Sequence, residues 1–194
     1  MTTGVLPFRP SERIRMLLPV PPSARAAKPA IPITCVQGLG RGAGVAVEGD
    51  FAGFHPLQLD GGVPFAWTDG HGTVVCRAAR TVTLRHVWIV VHATAPHGAP
   101  VEVKVDGGPP RRLARVRGRR TVRINLGQRV RSTEIRLELT SPTFVPADAG
   151  LTDSRRLGVA IERIILGRSV AACAAAAWAD ALRRFDRRRY RQGA

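Results

Sequence analysis

Cysteine, lysine, aromatic side chains, acidic side chains and long apolar runs are all scarce in this chain, and each shortage excludes something. Cys35, Cys76 and Cys173 are the only cysteines in 194 residues, widely spaced and without a CxxC pair. Such a set builds neither a disulfide framework nor a cysteine zinc site, and it reads as three small buried or half-buried thiols. Met16-Leu17-Leu18 is too short for a signal peptide and stops at Pro19. No run approaches transmembrane length. These shortages predict a soluble cytoplasmic protein, peripheral at most to a membrane-bound assembly. The histidines at 55, 71, 86, 92 and 97 show no metal-site spacing, and the serines at 132, 141 and 154 have no nucleophile-elbow setting. His86 and His92, six apart on one strand, read as a buried hydrogen-bonded pair before they read as metal ligands. Neither an enzyme, a metal nor a cofactor is expected. Asp60, Asp69 and Asp153 could meet at one end of a sandwich as paired acids, but turn formation is the stronger reading for all three.

What is abundant is arginine. The chain has 30 basic and 14 acidic residues, a formal net charge of +16. Lys28 and Lys104 are the only lysines, so 28 of the 30 basic residues are arginine. A surface of this sign attracts nucleic acid, anionic lipid or acidic glycan; genomic base composition is an equal explanation of the excess. One cluster stands out: Arg111, Arg112, Arg115, Arg117, Arg119, Arg120, Arg123, Arg129 and Arg131. Residues two apart on a strand share a face, so Arg115 with Arg117, and Thr121 with Arg123, make a basic stripe. With Arg119 and Arg120 it suits carboxylate, phosphate or sulfate through bidentate contacts, and it forms the candidate polyanion site.

The chain divides at 1–43, 44–167 and 168–194. Seven prolines up to Pro32 make the first segment an extended arm, and GLGRGAG (38–44) reads as a hinge, since no strand-then-helix unit follows it. From Phe54 short apolar runs alternate with turn signals at Asp60-Gly61-Gly62 and Asp69-Gly70-His71-Gly72. Residues 80–94 read as a central strand buried on both faces. Val101 to Val105, Val122 to Leu126 and Ile135 to Leu139 each alternate with period two. No helical periodicity interrupts them before residue 167. The fold class is therefore mainly β, an antiparallel β-sandwich of jelly-roll type. Ser141 to Leu166, SPTFVPADAGLTDSRRLGVAIERIIL, is expected to be an ordered crossover into the last strand. Asp153 should accept nearby backbone N–H groups, and Gly158 follows as part of the structural turn. After Ser169 an alanine-rich helix begins, with Val170, Ala174, Trp178, Leu182 and Phe185 repeating at spacings of four and three. Trp178 packs this helix on the sandwich in one reading. In the other, Trp178, Leu182 and Phe185 meet a partner or an anionic surface.

Two stretches resemble a known family. GFHPLQLDGGVPFAWTDG (Gly53 to Gly70) and the crossover together resemble the small jelly-roll domains found beside bacterial glycosyltransferase and polysaccharide-assembly modules. Those domains tend to carry a Gly-aromatic-x-x-x-Glu start, an Arg-Trp-Thr strand and an Asp-x-Arg-x-Leu-Gly ending. The likeness covers about Gly53 to Leu166, and the ending is matched by Asp153, Arg155, Leu157 and Gly158. Gln58 stands where those domains tend to have Glu, and Ala66 where they tend to have Arg; an ion pair between those positions would lose both halves here. The resemblance implies a carbohydrate-related sandwich. A sugar site would combine an aromatic face with planar polar groups, which selects Trp67 with His55, Asp69, Arg155 and Arg156; core packing is the competing role for Trp67. The expected function is a non-enzymatic carbohydrate-related module engaging an acidic glycan or the proteins of a polysaccharide-synthesis assembly. The alternatives are a structural subunit, homo- or hetero-oligomeric through arm and helix, and a nonspecific nucleic-acid-associated protein.

Overall fold

Period-two alternation does its work over most of the chain. The computed structural model describes residues 31–37, 44–179 and 181, and places nine strands among them. They are β1 (Ile33–Val36), β2 (Gly44–Val45), β3 (Val47–Phe54), β4 (Gln58–Asp60), β5 (Val63–Ala93), β6 (Ala99–Val105), β7 (Arg111–Val116), β8 (Arg120–Thr140) and β9 (Ala160–Gly167). The path of pairing runs β2-β1-β9-β5-β8-β6-β7, with β3 and β4 also on β5.

Strands β5 and β8 serve both layers of the sandwich. Residues 71–77 of β5 pair with 134–140 of β8, alongside β3 on one side and β6–β7 on the other. Past register shifts at Arg77/Val82 and Leu84/His86, residues 82–91 of β5 pair with 120–132 of β8, now alongside β9, β1 and β2. Side chains of both layers meet in one core. Val74, Val103, Leu137 and Leu139 come from the first layer, and Leu84, Val87, Ile164 and Leu166 from the second, none more than 1% exposed. Each such burial stabilises by about 1.5–3 kcal/mol, enough to fix which face of every strand points inward. The three cysteines are buried and free, as their spacing predicted. Burial pushes the Cys76 thiol up to about 12 and Cys173 to about 11.

Four expectations need correction. Residues 31–37 belong to the sandwich rather than the arm: Ile31 and Cys35 are 3% and 1% exposed, and β1 runs parallel to β9. Proline density hid a four-residue strand that starts once Pro32 is passed. Residues 1–30, residues 38–43 of the hinge, Asp180, and everything from Leu182 on, including Phe185, lie outside the described residues. The expected turn Asp69-Gly70-His71-Gly72 lies inside β5, and the separate strands expected over 121–126 and 134–139 are one strand, β8. Gly70 has φ 109°, and the pairing of β3 with β5 slips at Ala52/Phe54, so the glycine bends the strand where a turn would reverse it.

The crossover is ordered as expected. It holds a 3-10 turn at Pro146–Ala149, and Phe144 and Leu157 exchange backbone hydrogen bonds of 2.9 and 2.8 Å. Gly158 is required here by close approach. A Cβ at this position would lie 2.5 Å from Thr68 Oγ1, 2.7 Å from Ser141 Oγ and 2.9 Å from the Gly70 Cα. Its N–H donates to the Thr68 carbonyl (2.8 Å), and that of Val159 to Thr68 Oγ1 (3.1 Å).

The fourth correction concerns the helix, α1 (residues 170–179), where Ser169 Oγ accepts the Ala172 N–H at 3.2 Å. Cys173, Ala176 and Ala177 pack it against Trp88 and Ile165 on the outer face of the second layer. Trp178 does not pack it on the sandwich: 70% of its surface is exposed, as is 51% of Val170. Trp88 and Ile165 already fill the space beneath, so only small side chains fit between helix and sheet. That sends the bulkier stripe outward.

Candidate functional site

Among the described residues, two polar clusters gather the predicted site residues and their neighbours. The first gathers around the crossover. Asp153 Oδ1 accepts the Arg155 N–H (3.0 Å), and its carboxylate accepts from Arg155 Nε (2.9 and 3.1 Å) and Nη2 (2.5 Å). Those hydrogen bonds from Arg155 hold the Asp153 carboxyl below the usual carboxylate range. With its amide oriented to satisfy the network, Gln58 Oε1 accepts from Nη1 and Nη2 of the same guanidinium, at 2.9 and 2.7 Å. Thus the partner of position 58 is Arg155 and not position 66, where Ala66 is fully buried in the core. His55 Nε2 is 2.9 Å from the Arg156 carbonyl, and Arg156 Nη2 donates to Thr143 Oγ1 (3.2 Å).

Trp67 supports this cluster from below. It is 8% exposed, with Phe144 edge-on at 5.6 Å and Phe65 at 6.5 Å, so the core takes up the ring faces that a stacked sugar would need. Asp69 Oδ1 accepts the His71 N–H at 3.2 Å and shapes the bend in β5. The structure therefore brings His55, Arg155 and Arg156 together at the crossover. Trp67 stands beneath as packing.

The second cluster surrounds a cleft of about 270 Å3 between α1 and the sheet. Arg120 and Thr121 come from the start of β8 with Arg119 just before it, and Glu162, Arg163 and Ile165 come from β9. Val90 lies on the central strand, and Ala177 and Ala181 close the helix side. A slip in pairing creates the arrangement: Val90 stands opposite Arg163 but Val91 opposite Ile161, leaving Glu162 as the extra residue of a bulge. Glu162 is 1% exposed and is gripped by Arg119, Nε to Oε2 at 2.8 Å and Nη2 to Oε1 at 3.0 Å. This bidentate pair fixes the guanidinium plane. Behind it, His92 Nδ1 lies 3.8 Å from Glu162 Oε2 and Nε2 lies 3.4 Å from Asp60 Oδ2, with its ring stacked on Phe65 at 4.1 Å. His92 thus lies between two carboxylates with its Nδ1 making no hydrogen bond, and the expected hydrogen-bonded pair with His86 is not formed.

The arginine stripe is divided by the fold. Arg119 and Arg120 line the cleft. Arg123 sits over the Trp88 ring, 4.5 Å from its centre. Arg115 and Arg117 both bring their Cγ atoms against Gly98 at the edge of the first layer, so they lie on one side as expected, although Arg117 stands past the end of β7. Sequence reasoning missed Glu162 and Arg163. The signal was there: two adjacent charges interrupt the apolar run Val159-Ala160-Ile161-Glu162-Arg163-Ile164-Ile165, where alternation permits one outward residue at a time.

No protein-family model and no curated protein matches the sequence. Among solved structures, the exo-beta-1,3-galactanase of Phanerochaete chrysosporium with galactose aligns over 63% of this chain at 18% identity and a TM-score of 0.38. The aligned part is 27% of the galactanase, so the chain spans about a quarter of that protein. A pectin-binding carbohydrate-binding module aligns over 56% of this chain and 73% of its own, at 16% identity and a TM-score of 0.32. TmCBM61 in complex with beta-1,4-galactotriose aligns over 64% and 88%, at 16% identity and a TM-score of 0.34.

Proposed function

We propose that the protein is a non-enzymatic binding module for an acidic glycan, with the cleft between α1 and the sheet taking a charged group of the sugar chain. The observation that carries this reading is the lining of that cleft, where three arginines and a threonine hydroxyl border a volume of about 270 Å3 beside a single carboxylate. Glu162 fixes the Arg119 guanidinium in one plane, and Arg120 and Arg163 stand beside it on the lining, where a carboxylate or sulfate would meet guanidinium groups. A volume at the small end of ligand pockets fits one charged residue of a glycan. The net charge of +16 draws a polyanion towards it. A place beside a polysaccharide-synthesis assembly follows from the resemblance of the crossover and the Gly53 to Gly70 stretch.

Calorimetric titration tests this with three ligands: an oligouronide, a neutral galacto-oligosaccharide of equal length, and a DNA duplex of equal charge. The oligouronide should bind with one site per chain, and Arg120→Ala should weaken it about ten-fold, the value of one charge-assisted contact. Equal affinity for the neutral sugar would remove the role of the arginines. Tighter binding of duplex with a steep salt slope would replace the glycan by nucleic acid.

A further inference from the structure

The outward face of α1 is apolar where a surface helix is ordinarily polar. Val170, Ala171, Ala174, Ala175, Trp178 and Ala179 are all exposed, while Ala172 and Cys173 are fully buried against the sheet. The stripe of bulkier residues at helical spacing therefore points away from the protein. The sequence continues the same spacing with Leu182 and Phe185. Residues 182–194 then carry six arginines against one aspartate.

An apolar helix face bearing tryptophan and running into concentrated arginine has the composition of a helix that lies in a lipid–water interface. Its charge complements an anionic leaflet, where each arginine contributes about 1 kcal/mol near the surface. Tryptophan places its ring at headgroup depth. Two features favour lipid over a protein partner. Alanine offers no knobs to fill a pocket, whereas a bilayer demands no matching shape. The net charge of +16 also opposes a second copy of the chain.

We propose that the outward stripe of α1, led by Trp178 and followed by the arginine-rich segment, attaches the protein peripherally to an anionic lipid surface. The cleft lies on the opposite, inward side of the same helix, so attachment through the stripe leaves the glycan reading independent of it.

Trp178 supplies its own probe. Trp67 and Trp88 are 8% and 3% exposed, so a change in tryptophan emission on membrane contact reports Trp178. The full chain is mixed with vesicles of phosphatidylcholine alone or with phosphatidylglycerol added. The proposal expects a blue shift and co-sedimentation with the anionic vesicles and neither with phosphatidylcholine. Trp178→Phe should keep most binding and lose the shift. Trp178→Ala should lower partitioning about ten-fold, and replacing Arg187 and Arg188 by alanine about five-fold each, with the melting temperature unchanged. No association with anionic vesicles overturns the proposal. So does association that leaves the emission unchanged and is undiminished in Trp178→Ala, which is binding by charge alone. A dimer in solution that already shields Trp178 overturns it too, because the stripe would then be a contact between copies.

Discussion

The two polar clusters are built from the same residue types and end in different states. At the crossover, Arg155 meets Asp153 on one side and Gln58 on the other, and Arg156 reaches Thr143; donors and acceptors close on one another. At the cleft, three arginines line a volume that contains one carboxylate. The first arrangement holds backbone in place, because a satisfied network has nothing left to offer a ligand. The second also closes Arg119 on Glu162, but it does so around an open space that Arg120 and Arg163 line, where an anion would have room.

The sharpest way to break the contrast is at Gly158. Gly158→Ala puts a methyl group within 2.5 Å of Thr68 Oγ1 and 2.9 Å of the Gly70 backbone. It should cost about 3 kcal/mol in urea unfolding, because backbone lies on one side and cannot yield. A loss below about 1 kcal/mol would mean that the crossover is not clamped there. Next comes Arg119→Ala, which leaves the buried Glu162 carboxylate without its bidentate partner. About 2 kcal/mol is expected, below the full value for a buried pair because the Arg119 side chain is 59% exposed. Replacing both residues together should cost less than Arg119→Ala alone, and a double-mutant cycle measures the difference.

Asp153→Ala should destabilise by about 1–2 kcal/mol through the lost hydrogen bonds. The folded-state carboxyl is depressed by Arg155, so its contribution is complete above the unfolded carboxylate range and disappears as pH falls through the folded value. Unfolding of wild type and variant should therefore converge on acidification. A constant gap down to about pH 2.5 would assign the effect to packing rather than charge. The smallest change in stability belongs to Arg120→Ala, within about 0.5 kcal/mol, with its effect confined to the binding of acidic sugar. A large loss of stability there would turn the cleft into a second structural network and end the contrast.

Much of the fold was legible because period-two alternation states directly which side chains face the core. Val101 to Val105 and Ile135 to Leu139 read as strand and lie in strand, the first in β6 and the second in β8. The Asp153 turn was legible for a local reason, since its acceptor and donors lie within two residues. The long strands were not legible, because Asp-Gly signals mark a bulge as well as a turn. Only the neighbouring strand decides between them. Trp67 had the composition of a sugar platform, and Phe144, far away in sequence, covers it.

Composition and alternation by themselves determined a mainly β sandwich, three inert thiols, an ordered crossover and a strongly basic surface. They determined these because each depends on residues close in sequence or on a sum over all of them. Tertiary structure alone decided which arginines share a cleft, which acid is buried beside them and which face of the last helix is left outward. A single slip in the pairing of β9 with β5 sets Glu162 beside Arg119, and the bulk of Trp88 and Ile165 beneath α1 turns Trp178 outward. Both are matters of space between segments far apart in the chain, and no local pattern encodes them.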